Sequence, residues 1–428
     1  MQKLPDQAAS VALGTANHPL LEKQPKLAMR RDEVVQQICD VVAAECKCVF
    51  AHRLFSLILT GSAARDEITM TQVGTGWKLT SDAEFLVVVR KTDERLDSKL
   101  ADSLKYEGAS KLRSQGIDVS IDLAVVDASY LKELPPHIFS YELRNCGKVV
   151  LGDPSILEVI PKFTAAQLSK EDAWRLLCNR MIEQLAFVDD LENCPAELTP
   201  QLAYATVKLY LDMATSYLVF TDQYAPTYGE RAKRLRVLAD RPNDATPFPL
   251  VKFASRVAEC TSWKLSGDQE SCDADMEFWH EAISYMRRLW RWEMIQLTQA
   301  NGELTVANLS SLLAEELTIR QRLRGWISVV KRRGWFKSFG RWPHWMRLAN
   351  RSTPRYLVYR AATEIAFRLP CLIKHGGAPP RLDVNWEEIR ETLPEWAPRS
   401  SSGDGATWRK LVDDVAWNYA EFLRGTRA

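Results

Sequence analysis

The stretch LILTGSAARDE, residues 57–67, decides the fold of this chain. The apolar run FSLILT at 55–60 leads into it and predicts a buried strand that stops at a turn. Gly61 permits a sharp turn and a close approach of the backbone, and Ser62 offers a hydroxyl to a phosphate oxygen. Because Gly-Ser is a common dipeptide, a plain strand end also explains these two residues.

Two carboxylates precede a second short apolar run. In SDAEFLVVV, residues 81–89, Asp82 and Glu84 are two positions apart, so they project to the same face of an extended segment. In a half-buried setting they repel each other, and desolvating them is costly unless a cation compensates. Magnesium favours carboxylate and phosphate oxygens, so the pair predicts a magnesium site.

A third candidate strand carries a further carboxylate. In DVSIDLAVVD, residues 118–127, Asp122 stands in the middle of an apolar run, with Asp118 on the same face. We predict Asp122 as the third acidic residue of the site and keep Asp118 as the alternative. A set of solvated strand ends also accounts for the three carboxylates.

The segments around these strands have helical or hairpin patterns. Apolar residues at helical spacing predict a helix from Asp32, as its N-cap, to near Cys46, and another between residues 91 and 116. A Gly-Thr-Gly turn inside ITMTQVGTGWKLT, residues 68–80, indicates a β-hairpin beside the site.

After Pro161 the strand patterns stop, and leucines, methionines and aromatics recur at helical spacing. We therefore expect an α+β fold, in which a small mixed-sheet domain precedes a large all-α region. The expected divisions are a flexible tail at 1–30, a catalytic domain at 31–162, a helical bundle at 163–300 and a C-terminal helical region at 301–428.

The order of these motifs is similar to that of the polymerase-beta-like nucleotidyltransferase superfamily, whose pattern is hG[GS], then [DE]h[DE]h, then h[DE]h. GSAARDE and SDAEFLVVV resemble the GS-x-x-R-G and SD-x-D-LLVV signatures of bacterial nucleotidyltransferases such as the aminoglycoside adenylyltransferases. The segment 134–154 resembles the one that closes this domain in relatives, so the resemblance covers roughly residues 34–160. Asp66 replaces the usual glycine, Glu84 stands where aspartate is commoner, and residues 68–80 are inserted.

The resemblance implies a reaction and a set of roles. Two Mg²⁺ ions are held by Asp82, Glu84 and Asp122, and Asp122 activates the acceptor hydroxyl. Gly61 and Ser62 cradle the β- and γ-phosphates of ATP or another nucleoside triphosphate. The reaction moves a nucleoside monophosphate, most simply AMP, to a hydroxyl of a small-molecule or glycan-type acceptor and releases pyrophosphate.

Two basic residues are candidate phosphate contacts. Arg65 matches the arginine of the family signature. Lys208 shares one face of a predicted helix with Tyr204 and Asp212, from which a lysine reaches a phosphate. A solvated Lys208–Asp212 pair is the alternative interpretation.

The segment 317–363 has the most unusual composition. The whole chain has 56 basic and 55 acidic residues, so no overall charge marks a partner. This segment contains no acidic residue, and Trp326, Trp335, Trp342 and Trp345 alternate with its twelve Lys or Arg residues: Arg320, Arg322, Arg324, Lys331, Arg332, Arg333, Lys337, Arg341, Arg347, Arg351, Arg355 and Arg360. The mixture suits an acidic partner, either nucleic acid or a membrane surface. In the alternative, the tryptophans pack and the arginines pair with acidic residues elsewhere.

Further hypotheses concern function and setting. An RNA-modifying or nucleotide-signal-forming transferase is a second enzyme hypothesis, and a catalytically weak, antitoxin-like nucleotide-binding protein is a third. A homodimer is also compatible with a bundle whose neighbour completes the pocket. The sequence has no apolar leader and no run long enough to span a bilayer, which predicts a cytoplasmic protein.

Overall fold

The computed structural model describes residues 30–193, 197–241, 246–267, 274–302, 304–334, 339–374, 384–398 and 407–423. The tail expected at 1–30 therefore lies outside the described residues except for Arg30.

A four-stranded mixed sheet forms the centre of the N-terminal domain. Strand β1 (Leu54–Thr60) is antiparallel to both β4 (Ala83–Val89) and β7 (Lys148–Leu151), and β6 (Ile121–Asp127) is parallel to β4. The spatial order is β6-β4-β1-β7. Apolar runs rather than strict alternation occur in β1 and β4 because both faces of these strands are covered. The three strands that the sequence predicts are confirmed.

A second, smaller sheet lies beside the first. The predicted hairpin forms from β2 (Met70–Val73) and β3 (Gly76–Leu79), and β5 (Ile117–Asp118) pairs in parallel with β3. The chain leaves this sheet after Asp118 and enters the larger sheet at Ile121. The predicted strand 119–126 is thus shorter at its start, and Asp118 and Asp122 belong to different sheets.

Five helices complete this domain: α1 (Arg31–Phe50), α2 (Gly61–Ala64), α3 (Glu94–Ser114), α4 (Ala128–Lys132) and α5 (Ile138–Cys146). Helices α1 and α3 cover one face of the large sheet, and α4 and α5 contribute to the core on the other. The predicted cap at Asp32 is wrong by two residues. The backbone N–H of Arg30 donates to Glu33 Oε2 over 2.9 Å, which fixes the first turn earlier.

The described residues after β7 are mainly helical. The bounds are α6 (Lys170–Leu185), α7 (Val188–Asn193), α8 (Pro200–Phe220), α9 (Tyr228–Ala239), α10 (Leu250–Ser266), α11 (Met276–Thr298), α12 (Val306–Glu315), α13 (Ile319–Arg333), α14 (Trp342–Ala349), α15 (Pro354–Ala366), α16 (Leu369–Lys374), α17 (Trp386–Arg390) and α18 (Thr407–Asn418). Helix α8 is buried on nearly every side and lies at the centre of this region.

The fold is α+β, as the sequence predicts. One continuous hydrophobic cluster runs from Leu168 to Phe422, on both sides of the division expected at residue 300, and that division stays a prediction. Within the described ranges, no helix is long and apolar enough to cross a membrane.

Candidate functional site

Glu84 and Asp122 are direct neighbours across two parallel strands. They are register partners between β4 and β6, and both are exposed between buried residues on either side. Adjacent strands lie about 4.8 Å apart, so the two side chains lie next to each other on one face of the sheet. Asp82 is exposed and lies two positions before Glu84, just ahead of β4.

The Gly61–Ser62 turn lies next to the Glu84 carboxylate. Thr60, the last residue of β1, is the register partner of Glu84, and Gly61 follows with a φ of +63°. A β-carbon at position 61 would lie 2.6 Å from Glu84 Oε1. Ser62, in helix α2, is almost buried. The structure thus brings Gly61, Ser62, Asp82, Glu84 and Asp122 together at one edge of the sheet.

The protein around Glu84 disfavours its charged form. The side chain keeps contact with solvent, yet the surrounding atoms displace enough water to raise its pKa. The positive charge of Arg65 opposes this shift, whereas the negative charges of Asp122 and Asp82 add to it. A cation at this edge would relieve both the desolvation and the repulsion.

Lys105 provides one positive charge at this edge. Its Nζ lies 2.7 Å from Asp122 Oδ1, and the Asp122 side chain remains 65 % exposed. The sequence does not single out Lys105, because it is one of several lysines on a predicted helix and carries no motif.

The site offers few protein side chains that could bind a magnesium ion. In the part of the chain that the structure describes, no group of three His, Cys, Asp or Glu side chains is arranged to hold a metal ion. Magnesium commonly uses one or two protein carboxylates and completes its shell with water and substrate phosphates. The adjacent Glu84 and Asp122 side chains fit that donor set.

Arg65 takes part in a buried ionic network. Its Nε lies 3.1 Å from Glu67 Oε2, and one terminal nitrogen lies 2.5 Å from Glu142 Oε2. Glu142 also accepts hydrogen bonds from Tyr224 and Arg231, which belong to the helical region. Arg65 is therefore held by two carboxylates at the boundary between the sheet domain and the helices, and its role as a phosphate contact stays a prediction.

Lys208 lies on α8 with its Nζ 5.7 Å from the centre of the Tyr204 ring. The alternative interpretation, a Lys208–Asp212 pair, does not form: Asp212 pairs with Arg180 instead. The role of Lys208 in nucleotide binding stays a prediction.

Lys264 is a functional candidate that the sequence does not reveal. It is 3 % exposed, and its Nζ donates to Thr69 Oγ1 over 2.7 Å, to Ser81 Oγ over 2.7 Å and to Tyr204 Oη over 2.8 Å. Burial lowers its pKa. Because Ser81 immediately precedes Asp82, this lysine anchors the acidic segment to helix α10.

Two cavities open at the carboxylates. One of about 280 Å³ is lined by Gly61, Arg65 and Glu84, and a larger one of about 1030 Å³ is lined by Asp122 and Lys105. Arg175 and Arg355 line both. Across the larger cavity from Asp122 lies the polar face of α13, and the combined space suits a nucleotide and a second substrate.

Comparisons with known proteins do not establish a family. No family model matches the sequence, and no curated protein matches it. Among solved structures the chain is similar to the spectinomycin adenyltransferase AAD(9) from Enterococcus faecialis, solved with ATP and spectinomycin, with a TM-score of 0.34 and 14 % identity over 59 % of this chain and 98 % of that one. A likeness of this size carries no argument for fold, activity or substrate, so the function must be argued from the residues of the site.

Proposed function

We propose that this protein is a magnesium-dependent nucleotidyltransferase that moves a nucleoside monophosphate, most simply AMP from ATP, to a hydroxyl of a small-molecule or glycan-type acceptor. The observation that supports it is the meeting of Glu84 and Asp122 in register beside the Gly61–Ser62 turn. A turn suited to phosphates next to adjacent carboxylates is the arrangement that phosphoryl chemistry requires.

The acidic residues hold the cation and handle the proton in this proposal. Glu84 and Asp122 would hold Mg²⁺, with Asp82 as the proposed third ligand, and the ion would supply positive charge against the negative charge that develops on the phosphate oxygens. Asp122 accepts the proton of the acceptor hydroxyl, since it lines the larger cavity and its side chain is 65 % exposed. Lys105 must release Asp122 for this step.

The bonds balance as a single substitution at phosphorus. The acceptor oxygen forms a bond to the α-phosphorus, and the bond from that phosphorus to the oxygen bridging to the β-phosphate breaks. Pyrophosphate leaves, and the hydroxyl proton goes to Asp122. Gly61 and Ser62 orient the β- and γ-phosphates, and Arg65 and Lys208 are the proposed further nucleotide contacts.

The test measures the release of pyrophosphate. The purified protein is incubated with each labelled nucleoside triphosphate, Mg²⁺ and a metabolite extract, beside Glu84→Gln and Asp122→Asn. We expect the wild type to release pyrophosphate and each variant to lose activity by at least about 100-fold. The labelled product identifies the acceptor.

Asp118→Asn is the matched control. Asp118 is an exposed carboxylate, ion-paired with Arg113, in the neighbouring sheet. It should retain activity. If Asp118→Asn lost as much activity as Asp122→Asn, the assignment of Asp122 would be contradicted. If the wild type released no pyrophosphate with any nucleotide, the proposed transferase activity would be overturned.

One observation favours a second candidate function. Because Lys105 already neutralises Asp122, the site also suits a regulatory protein that binds a nucleotide without turnover. Magnesium-dependent nucleotide binding without pyrophosphate release selects this candidate.

A further inference from the structure

Helix α13 exposes an apolar stripe. Ile319, Leu323 and Ile327 are four residues apart and 76 %, 51 % and 53 % exposed. Residues at this spacing lie on one face of a helix. Trp326 and Val329 pack into the core on another side of the same helix, so the helix is anchored while its stripe faces outward.

The acid-free segment 317–363 contains two further exposed apolar side chains. Phe339 and Met346 are 75 % and 61 % exposed and lie in the same acid-free segment, 317–363. Single exposed apolar residues are common on protein surfaces, but several close together in the chain indicate an interaction surface.

Positive charges border the stripe. Arg320, Arg324 and Lys331 are exposed and lie on the flank of α13 next to it, and none of the three forms an ion pair with a described residue. By contrast, Arg333 and Arg341 pair with Glu395. The expectation that the arginines pair internally therefore holds for some members of the segment and not for those beside the stripe.

These features distinguish between kinds of partner. Nucleic acid uses aromatic rings for stacking, but the stripe on α13 is aliphatic, and Trp326 and Trp345 are buried, with their indole N–H groups donating to the carbonyls of Ser352 and Pro394. Trp335 and Lys337 lie outside the described residues. A symmetric contact would bring two copies of the same acid-free segment together, so these cations would find no carboxylate from that segment. An anionic lipid surface satisfies both the apolar stripe and its cationic border.

We propose that α13 is a peripheral membrane-docking helix, which inserts Ile319, Leu323 and Ile327 at the headgroup boundary of an anionic bilayer while Arg320, Arg324 and Lys331 contact lipid phosphates. The proposal does not depend on nucleotidyl transfer. Arg324 lies where two faces of the helix meet, because it also lines the cavity that contains Asp122, together with Gln321 and Ser328. Docking of α13 would therefore place that cavity next to the lipid surface.

Vesicle sedimentation of the full chain tests the proposal. We expect binding to vesicles that contain phosphatidylglycerol, little binding to pure phosphatidylcholine, and release by salt. Leu323→Asp combined with Ile327→Asp should abolish sedimentation, and Arg320→Ala or Lys331→Ala should each weaken it about fivefold. Val251→Asp is the matched control, since Val251 is 68 % exposed on α10.

Several outcomes would overturn the proposal. The first is that the protein does not bind anionic vesicles, and the second is that it binds neutral vesicles equally well. The third is that Val251→Asp loses as much vesicle binding as the stripe variant. A stripe variant that changes the oligomeric mass in solution while vesicle binding persists would assign the stripe to a second copy. Pyrophosphate release and thermal unfolding without vesicles separate these results from misfolding and from failure of the proposed activity.

Discussion

Gly61 and the Glu84 carboxylate are in close contact: a β-carbon on residue 61 would lie 2.6 Å from Glu84 Oε1, so any other residue there would have to displace that carboxylate. The φ of +63° at residue 61 adds a second reason for glycine, since other residues are strained there.

Gly61→Ala should therefore affect the site more than the fold. The left-handed backbone costs roughly 1–2 kcal/mol of unfolding free energy, and the methyl group displaces the Glu84 carboxylate. Gly74→Ala is the control, since its φ is +61° with nothing within 4 Å of the added carbon. Denaturant unfolding should show similar losses for both, and only Gly61→Ala should weaken magnesium-dependent nucleotide binding.

Glu142 should be a major contributor to stability. Glu142→Gln removes the charge that faces Arg65 and Arg231 in a buried setting, so we expect a loss of roughly 3–5 kcal/mol of unfolding free energy. The exposed pair of Arg30 with Glu33 is the comparison, and Glu33→Gln should lower the unfolding free energy far less than Glu142→Gln does. If chemical denaturation showed equal losses of unfolding free energy for the two variants, the Glu142 network would not be a major contributor to stability.

Lys264→Met should loosen the segment that carries Asp82. It leaves Thr69, Ser81 and Tyr204 without a buried donor, which costs about 1–3 kcal/mol. As a positioning residue, Lys264 should also influence magnesium-dependent nucleotide affinity, measured by titration. Lys252→Met, on the same helix but 70 % exposed, should leave that affinity unchanged.

Glu293 should make stability fall with rising pH. Burial raises its pKa to about 8 from 4.5, and Ser216 Oγ is its hydrogen-bond partner at 2.5 Å. Between these values the folded protein binds a proton that the unfolded chain has lost, so the unfolding free energy decreases as pH rises from about 4.5 and levels off above about 8. Urea unfolding across this range should show the decrease, and Glu293→Gln should flatten it.

Local sequence patterns predict the strands that carry the site residues better than they predict the contacts around those residues. The strands before Gly61 and after Asp82 follow from short apolar runs, and Glu84 is placed by its spacing from Asp82. The choice between Asp118 and Asp122 depends on where one sheet ends and the next begins, which only the pairing with β3 and β4 reveals.

The partners of these residues could not be predicted, because they come from distant parts of the chain. Ser81 and Lys264 are 183 residues apart in the sequence, and Arg65 and its partner Glu142 are 77 residues apart. Neither contact has a short motif, and a lysine on an amphipathic helix ordinarily stays in solvent. Sequence periodicity gives the face of a helix, but it does not say which other element covers that face.

The two buried connections, one through Glu142 and one through Lys264, also bear on how the site is assembled. Each joins a residue of the N-terminal sheet domain to a helix far along the chain. A protein truncated near residue 162 would keep all three acidic residues, yet Glu142 would lose Tyr224 and Arg231 and Ser81 would lose Lys264. The acidic edge is thus completed only when the chain as far as Lys264 has folded, so a fragment that ends near residue 162 should be inactive even though every motif residue remains.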